Sequence, residues 1–383
     1  MSESFIITGA TGFVGSALAA YALSEGKMVY ALSRDDKNGQ RTRKCIQVAA
    51  KGMGIRINSK NIGVLPFGED GIIEAINFVP DRSQVSFWHC AAEMTYNYKK
   101  MKKSIEFNVS NTLNFLQLSH SLGIKRFYYF STAFTSNKTG PIEEEIHLQN
   151  APENAYQASK WMAETMLNYR AKELGQPLTI LRPGVIIGHS KTGWSSGKAF
   201  GFFMFLKAME NLYKQGVKEV MLNIDPENEA QLITIDQTIE WSLKVHKHDQ
   251  KKFEIIHLIN KDRSLCKMKD VAALYSKYSG VKLSFGPPKS VSDHMFEKYV
   301  KMNKEFAGRE WEFSEKGLDD FGVKNRKILT EHMDLSMMHF ISAPNQTIIK
   351  KVPRIYTRIL NNKSIPKNEV LLDLVSKLGK LVR

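Results

Sequence analysis

Thr8-Gly9-Ala10-Thr11-Gly12-Phe13-Val14-Gly15 follows directly on the apolar run 4–8 (SFIIT) and leads into 16–24, a stretch of helical character that Gly26 can end. The next buried run, 29–32, reads as a second strand. Strand, glycine turn, helix and strand within about 30 residues make a βαβ unit. In that setting each glycine has a task. Gly9 allows the tight turn, Gly12 lets the backbone approach a pyrophosphate, and Gly15 lets the helix pack closely on the strand. The helix N-terminus supplies N–H donors and a partial positive charge. A glycine pattern alone is weak; its position between a strand and a helix is what carries the reading.

Outward from this unit the rhythm repeats. Residues 84–89 (QVSFWH), 126–131 (RFYYFS) and 178–182 read as strands, and 107–122 and 156–174 as helices. Strands alternating with long helices imply a parallel sheet covered on both faces. The fold class is therefore α/β: a Rossmann-type doubly wound parallel sheet with a smaller, mostly helical C-terminal substrate domain. Residues 1–190 and 231–262 are assigned to the dinucleotide-binding domain, and 191–230 and 263–383 to the substrate domain. Within the latter, 199–205 (AFGFFMF) should line a pocket or pack on one. The fragments 232–235 and 253–259 are expected to return to the main sheet, and Pro287–Pro288 to break the helical remainder.

The 383 residues, 43% hydrophobic and 24% charged, have the balance of a globular protein rather than a disordered or fibrous one. Three scattered cysteines (Cys45, Cys90, Cys266) suggest a reducing compartment, and neither they nor the ten histidines have ligand spacing, so no metal is expected. Glycines interrupt the first apolar run at once, and the longest later run, 199–206, is far short of the roughly 20 residues that span a bilayer. A cytoplasmic location is the expectation. The net charge of +15 is either a generally basic surface or the mark of an anionic partner: an acidic protein, a membrane surface or phosphate-bearing ligands. No zinc finger, dense basic helix or aromatic RNA-binding set is present, so nucleic acid is not expected. In the basic tail, Leu371, Leu374, Val375, Leu378 and Leu381 fall on one helix face. That helix either docks on its own substrate domain or contacts a membrane or carrier protein.

Two further signals carry chemistry. At the end of the second strand, where an acidic residue would bind the ribose hydroxyls of NAD, the chain has Ser33-Arg34, with Arg41 and Arg43 close behind. A guanidinium suits a 2′-phosphate, so NADP(H) is the expected cofactor, held by Arg34 and Arg43. Asp35 and Asp36 speak against this unless they point away from the ribose. The second signal is Tyr156-Gln157-Ala158-Ser159-Lys160, in which positions i and i+4 share a helix face. The ammonium should favour phenolate and lower the phenol's pKa. Ser131 and Thr132 stand at the carboxyl end of the preceding strand, where parallel sheets place ligands, so Thr132 and Tyr156 should meet there.

In order and spacing, TGATGFVG, HCAA (89–92), Asn108 in FNVSNT, STAF, YQASK and LRPG resemble the extended short-chain dehydrogenases. The resemblance covers residues 4 to about 260. It implies a catalytic group of Thr132, Tyr156 and Lys160. It also implies cofactor contacts at Gly9, Thr11, Gly12, Phe13, Val14, Gly15, His89, Ala91, Ala92, Asn108 and Ser131, with nicotinamide-side contacts at Pro183, Gly184, Val185 and Ile186. YQASKWMAE (156–164), RPGVIIGHSKTG (182–193) and the arginine-bearing insertion after Arg34 are more similar to the thioester reductase and fatty acyl-CoA reductase branch.

Three readings follow. The first is NADPH-dependent reduction of an acyl thioester, on coenzyme A or an acidic acyl carrier protein, to aldehyde or onward to alcohol. The second is sugar-nucleotide epimerisation or dehydration, or ketone/hydroxysteroid-type dehydrogenation, on the same scaffold. The third is a non-catalytic NADP(H) sensor, which an intact Thr-Tyr-Lys set argues against.

Overall fold

The computed structural model describes residues 3–342, apart from 80, 138–139, 149, 249–250, 263–265 and 325. Its central sheet comprises β1 (Ser4–Thr8), β2 (Met28–Ser33), β3 (Ile62–Pro66), β4 (Val85–His89), β5 (Arg126–Phe130), β6 (Leu178–Pro183) and β7 (Phe253–Leu258). All neighbours pair in parallel, in the order β7-β6-β5-β4-β1-β2-β3. The order reverses between β1 and β4, so the loops at their carboxyl ends open a crevice there.

Side-chain alternation explains why these strands are apolar throughout. Phe5, Ile7, Trp88 and Tyr128 enter one core, with residues of α1 (Phe13–Ser24), α2 (Gln40–Met53) and α7 (Ile235–His248). Ile6, Phe87, Phe127 and Tyr129 enter the other, with residues of α3 (Glu69–Asn77), α4 (Asn111–Ser121) and α5 (Ala155–Leu174). Both faces are covered, so neither can be polar.

Two elements of this half escape a reading by periodicity. β3 (IGVLP) contains a glycine and a proline, which demote it as a strand, yet it is an edge strand, where proline is tolerated. A Cβ on Gly63 would stand 2.7 Å from the Tyr30 ring, so close packing requires the glycine. The arginine-bearing insertion is a helix, α2, burying Thr42, Ile46, Ala49, Ala50 and Met53.

The expected return of 232–235 to the main sheet is not observed. Leu232–Thr234 pairs in parallel with Val185–Ile187 in a separate two-stranded sheet. The Val185 N–H donates to the Gln231 carbonyl (2.7 Å), which peels the chain away from the end of β6. β7 does join the main sheet, beside β6.

Beyond it, α6 (Phe202–Lys214), α8 (Met268–Ser279), α9 (Val291–Ala307) and α10 (Thr330–Ser342) surround a second core containing Phe202, Phe205, Met209, Tyr275, Phe296 and Phe340. A parallel pair, Glu219–Leu222 with Lys282–Phe285, ties its two chain segments together. Pro287 and Pro288 separate that second strand from α9. The amphipathic positions 371–381 lie outside the described residues. No helix among the described residues is long and apolar enough to cross a membrane.

Candidate active site

A cavity of about 520 Å³ lies at the switch point. Its floor is the glycine turn. Gly9 has φ +75°, and a Cβ there would stand 2.7 Å from the Ala91 nitrogen. A Cβ on Gly15 would stand 2.3 Å from the Gly9 carbonyl oxygen. The Gly12 N–H donates to that same carbonyl at 2.8 Å, which closes the turn. No side chain caps α1 and no acidic residue enters its first turn, so its leading N–H groups are free to meet an anion. A cradle that a single methyl would fill, ending on uncapped amides, fits the pyrophosphate of a nicotinamide dinucleotide.

At one end of the cavity Arg34 lies over the Phe107 ring, 4.8 Å from its centroid, and over Phe67 at 5.6 Å. Asp36 is turned away: its carboxylate accepts from the Thr42 hydroxyl (2.6 Å) and backbone N–H (2.8 Å) at the start of α2. The Thr42 hydroxyl, helped by the neighbouring N–H groups, holds the Asp36 pKa below its usual value. Arg43 does not reach the cavity. Its guanidinium bonds the Ile62 carbonyl on β3, because α2 turns that face toward the sheet edge. The guanidinium of Arg41 instead bonds the Arg34 carbonyl and steadies the loop.

The Thr-Tyr-Lys set meets in the middle. Ser131 and Thr132 follow β5 directly and are 6% and 7% exposed. The Thr132 oxygen accepts a long bond from the Phe134 N–H (3.4 Å), which leaves its own proton to donate. The Ser131 hydroxyl is buried on the cavity wall and has no hydrogen-bond partner among the described residues. Lys160 donates to the Phe130 carbonyl (2.7 Å) and lies 4.5 Å from the Tyr129 ring centroid. Burial brings its pKa down to about 8, against an opposing pull from Glu164. Burial, and then Tyr96 and Glu164, push Tyr156 above the usual phenol value. The expected lowering of that pKa is therefore absent: Lys160 is committed to a backbone carbonyl, and burial outweighs it. The phenol is neutral and holds its proton.

Two residues expected at the cofactor, His89 and Asn108, have their polar groups bonded within the protein. His89 reaches the cavity wall, but its Nδ1 bonds the Thr8 hydroxyl (2.8 Å) and its Nε2 the Thr112 hydroxyl (3.0 Å). Burial, with Lys160 nearby, lowers its pKa to about 3, so the ring is a neutral strut. Asn108 lies outside the cavity, on a π-turn spanning Glu106–Ser110. It accepts from the Glu93 N–H (2.7 Å), donates to the Glu93 carbonyl (3.0 Å) and donates to Ser159 (2.9 Å). It thereby ties the loop after β4 to the helix that carries Tyr156. Thr11, Phe13, Val14, Ala91, Ala92, Pro183, Gly184, Val185 and Ile186 all line the cavity.

Below the site, Arg182 and Glu164 form a buried pair at 0% and 1% exposure, with a closest approach of 2.6 Å. The guanidinium also donates to the Glu145 carbonyl (2.8 Å) and contacts His147 and His257. The pair bolts α5 to β6, fixing Tyr156 and Lys160 relative to the Pro183–Ile186 wall.

Sequence reasoning missed part of the lining. Glu93, Met94 and Tyr96, on the loop after β4, face the centre; the Tyr96 ring meets Tyr156 edge-on, with centroids 6.0 Å apart. Phe134, Asn303 and Phe306 join Phe200 and Phe203 in an aromatic arm beyond the nicotinamide side. The aromatic stretch thus divides, with Phe200, Gly201 and Phe203 on the cavity and Phe202 and Phe205 in the second core. Residues 303 and 306 carried no motif; only their spacing on α9 hinted at a shared face. Among the described residues no three His, Cys, Asp or Glu side chains converge as metal ligands.

Comparison with known proteins agrees with this geometry. Residues 82–241 match the model of a family described as male sterility protein. The chain is 29% identical over 215 residues to the non-canonical nonribosomal peptide synthetase cpsA of Aspergillus campestris, covering 51% of this chain and 20% of that protein. The chain thus spans about a fifth of that relative's length. Among solved structures, the terminal R domain of the myxalamid PKS-NRPS biosynthetic pathway superposes with a TM-score of 0.68 at 21% identity, covering 89% of this chain and 91% of that one. UDP-glucuronic acid 4-epimerase from Bacillus cereus, in complex with NAD, superposes with a TM-score of 0.61 at 17% identity, covering 88% and 96%. The stretch 82–241 is thus similar to the male sterility protein family, and sheet order and superposition together mark the chain as a Rossmann-type α/β fold.

Proposed function

We propose that the protein uses NADPH to reduce an acyl thioester, borne on coenzyme A or an acidic carrier protein, to the aldehyde, with the alcohol as the product of a second turnover. The observation that carries this reading is the convergence of Thr132, Tyr156 and Lys160 in one cavity, between a phosphate cradle and an aromatic arm. The likeness to a peptide synthetase and to a terminal R domain supports a carrier-bound thioester as substrate. Arg34 at the cavity rim, with Asp36 turned to α2, supports NADPH over NADH.

A bound NADPH supplies the hydride that the thioester carbonyl carbon accepts. The Thr132 and Tyr156 hydroxyls donate to the carbonyl oxygen and stabilise the charge that develops there. Tyr156, kept protonated by burial, gives up its proton as the hemithioacetal forms. The Lys160 ammonium then balances the phenolate. Collapse of the hemithioacetal releases thiol and aldehyde. The net charge of +15 draws in anionic substrates.

The likeness to NAD-bound epimerases favours a second reading, sugar-nucleotide chemistry. Against it, the substrate arm presents four phenylalanines and a single rim cation, Lys198, a poor receptor for a diphosphate.

The test is NADPH and NADH oxidation with acyl-coenzyme A and acyl-pantetheine thioesters, comparing wild type with Tyr156→Phe. Thiol release that prefers NADPH and falls at least about a hundredfold in the variant is the expected result. Turnover of a sugar nucleotide or ketone, with none of any thioester, would replace this reading by the second.

A further inference from the structure

The aromatic arm contains one polar side chain, Asn303, on α9. It is 5% exposed and lines the cavity beside Phe203 and Phe306. Its amide nitrogen is turned to the Met204 sulfur, a weak acceptor. Its carbonyl oxygen makes no hydrogen bond among the described residues and is not fully enclosed. A nearly buried amide with an acceptor left open is costly to keep in an apolar wall unless a ligand meets it. An arm meant for a plain alkyl chain would be served better by leucine.

We infer that Asn303 is a specificity-determining residue, and that the acyl group reduced by this protein carries a neutral hydrogen-bond donor, a hydroxyl or an amide N–H, on its chain. The inference rests on the thioester reading above and names the substrate class within it. A neutral donor is favoured over an ammonium for an electrostatic reason. The arm holds no carboxylate, Lys198 stands at its rim, and the one acid on the cavity wall, Glu93, is paired with Lys103 at 2.8 Å. An ammonium in the arm would meet cations and no counter-charge.

The test pairs turnover with binding in the NADPH-loaded full chain. Octanoyl-pantetheine is compared with its β-hydroxy and δ-hydroxy derivatives as thioesters. The matching thioethers, which cannot react, serve for calorimetry. The wild type should favour one hydroxy derivative by about tenfold or more in kcat/KM and in Kd. Asn303→Leu should abolish that preference, so that the octanoyl and hydroxyoctanoyl values converge, at the wild-type melting temperature. A binding preference without thioester turnover would uphold the role of Asn303 and sink the reductive reading. Thioester turnover with equal rates and affinities across the series, or a preference that survives Asn303→Leu, would overturn the inference and leave the reductive reading standing.

Discussion

Replacing Glu164 by glutamine tests whether the buried pair beneath the site holds the helix of Tyr156 and Lys160 in place. Arg182 and Glu164 are fully enclosed, and the carboxylate receives the guanidinium Nε at 3.1 and 3.2 Å and the Nη2 at 2.6 Å. Removing one partner of such a pair leaves an uncompensated charge in a dry interior, which destabilises by about 3–5 kcal/mol. Glutamine keeps one oxygen acceptor, and the Glu145 carbonyl still receives one guanidinium N–H, so the lower end applies, about 3 kcal/mol. For a chain of this size that corresponds to a fall in melting temperature of about 4 °C. Urea unfolding should show a lower midpoint at unchanged slope. Glu164→Leu with Arg182→Met removes both charges and should recover most of the loss. A Glu164→Gln protein within 1 kcal/mol of wild type, or a double variant weaker than the single, would refute the account.

Other outcomes follow from the same geometry. Gly15→Ala puts a methyl against the Gly9 carbonyl and forces the turn to shift, so NADPH affinity by fluorescence titration should fall by about a hundredfold. Arg34→Ala should lower the NADPH-to-NADH ratio of kcat/KM by about tenfold to a hundredfold; an unchanged ratio would place the 2′-phosphate elsewhere. Lys160 loses its charge as pH rises through about 8, so kcat/KM should decline above that pH. Its contribution to stability runs the other way. The folded pKa lies below the 10.5 of a free lysine side chain, so between about 8 and 10.5 the unfolded chain binds more protons, and the contribution grows with pH. Unfolding midpoints across that window, compared with Lys160→Met, check the sign.

Residue types fitted to demanding backbone or chemistry were legible before any fold was known. The glycine turn could be read because a left-handed Gly9 and a Cβ-free Gly15 admit no other residue. Tyr156 and Lys160 could be read because i and i+4 share a helix face whatever the surroundings. The alternation of strands and helices gave the sheet, since covered faces demand continuous apolar runs. What stayed hidden depended on partners distant in the chain. Arg43 and Asn108 have the right chemistry, but α2 aims one at β3 and the π-turn gives the other to Glu93 and Ser159. The protonation of Tyr156 could not be read from its neighbour Lys160, because burial depends on every element that closes the cavity. Asn303 belongs to no motif at all. Local rules determine which backbone and which helix face a residue occupies; whether its polar atoms meet solvent, a partner or the cavity is decided only when α9 packs against α6.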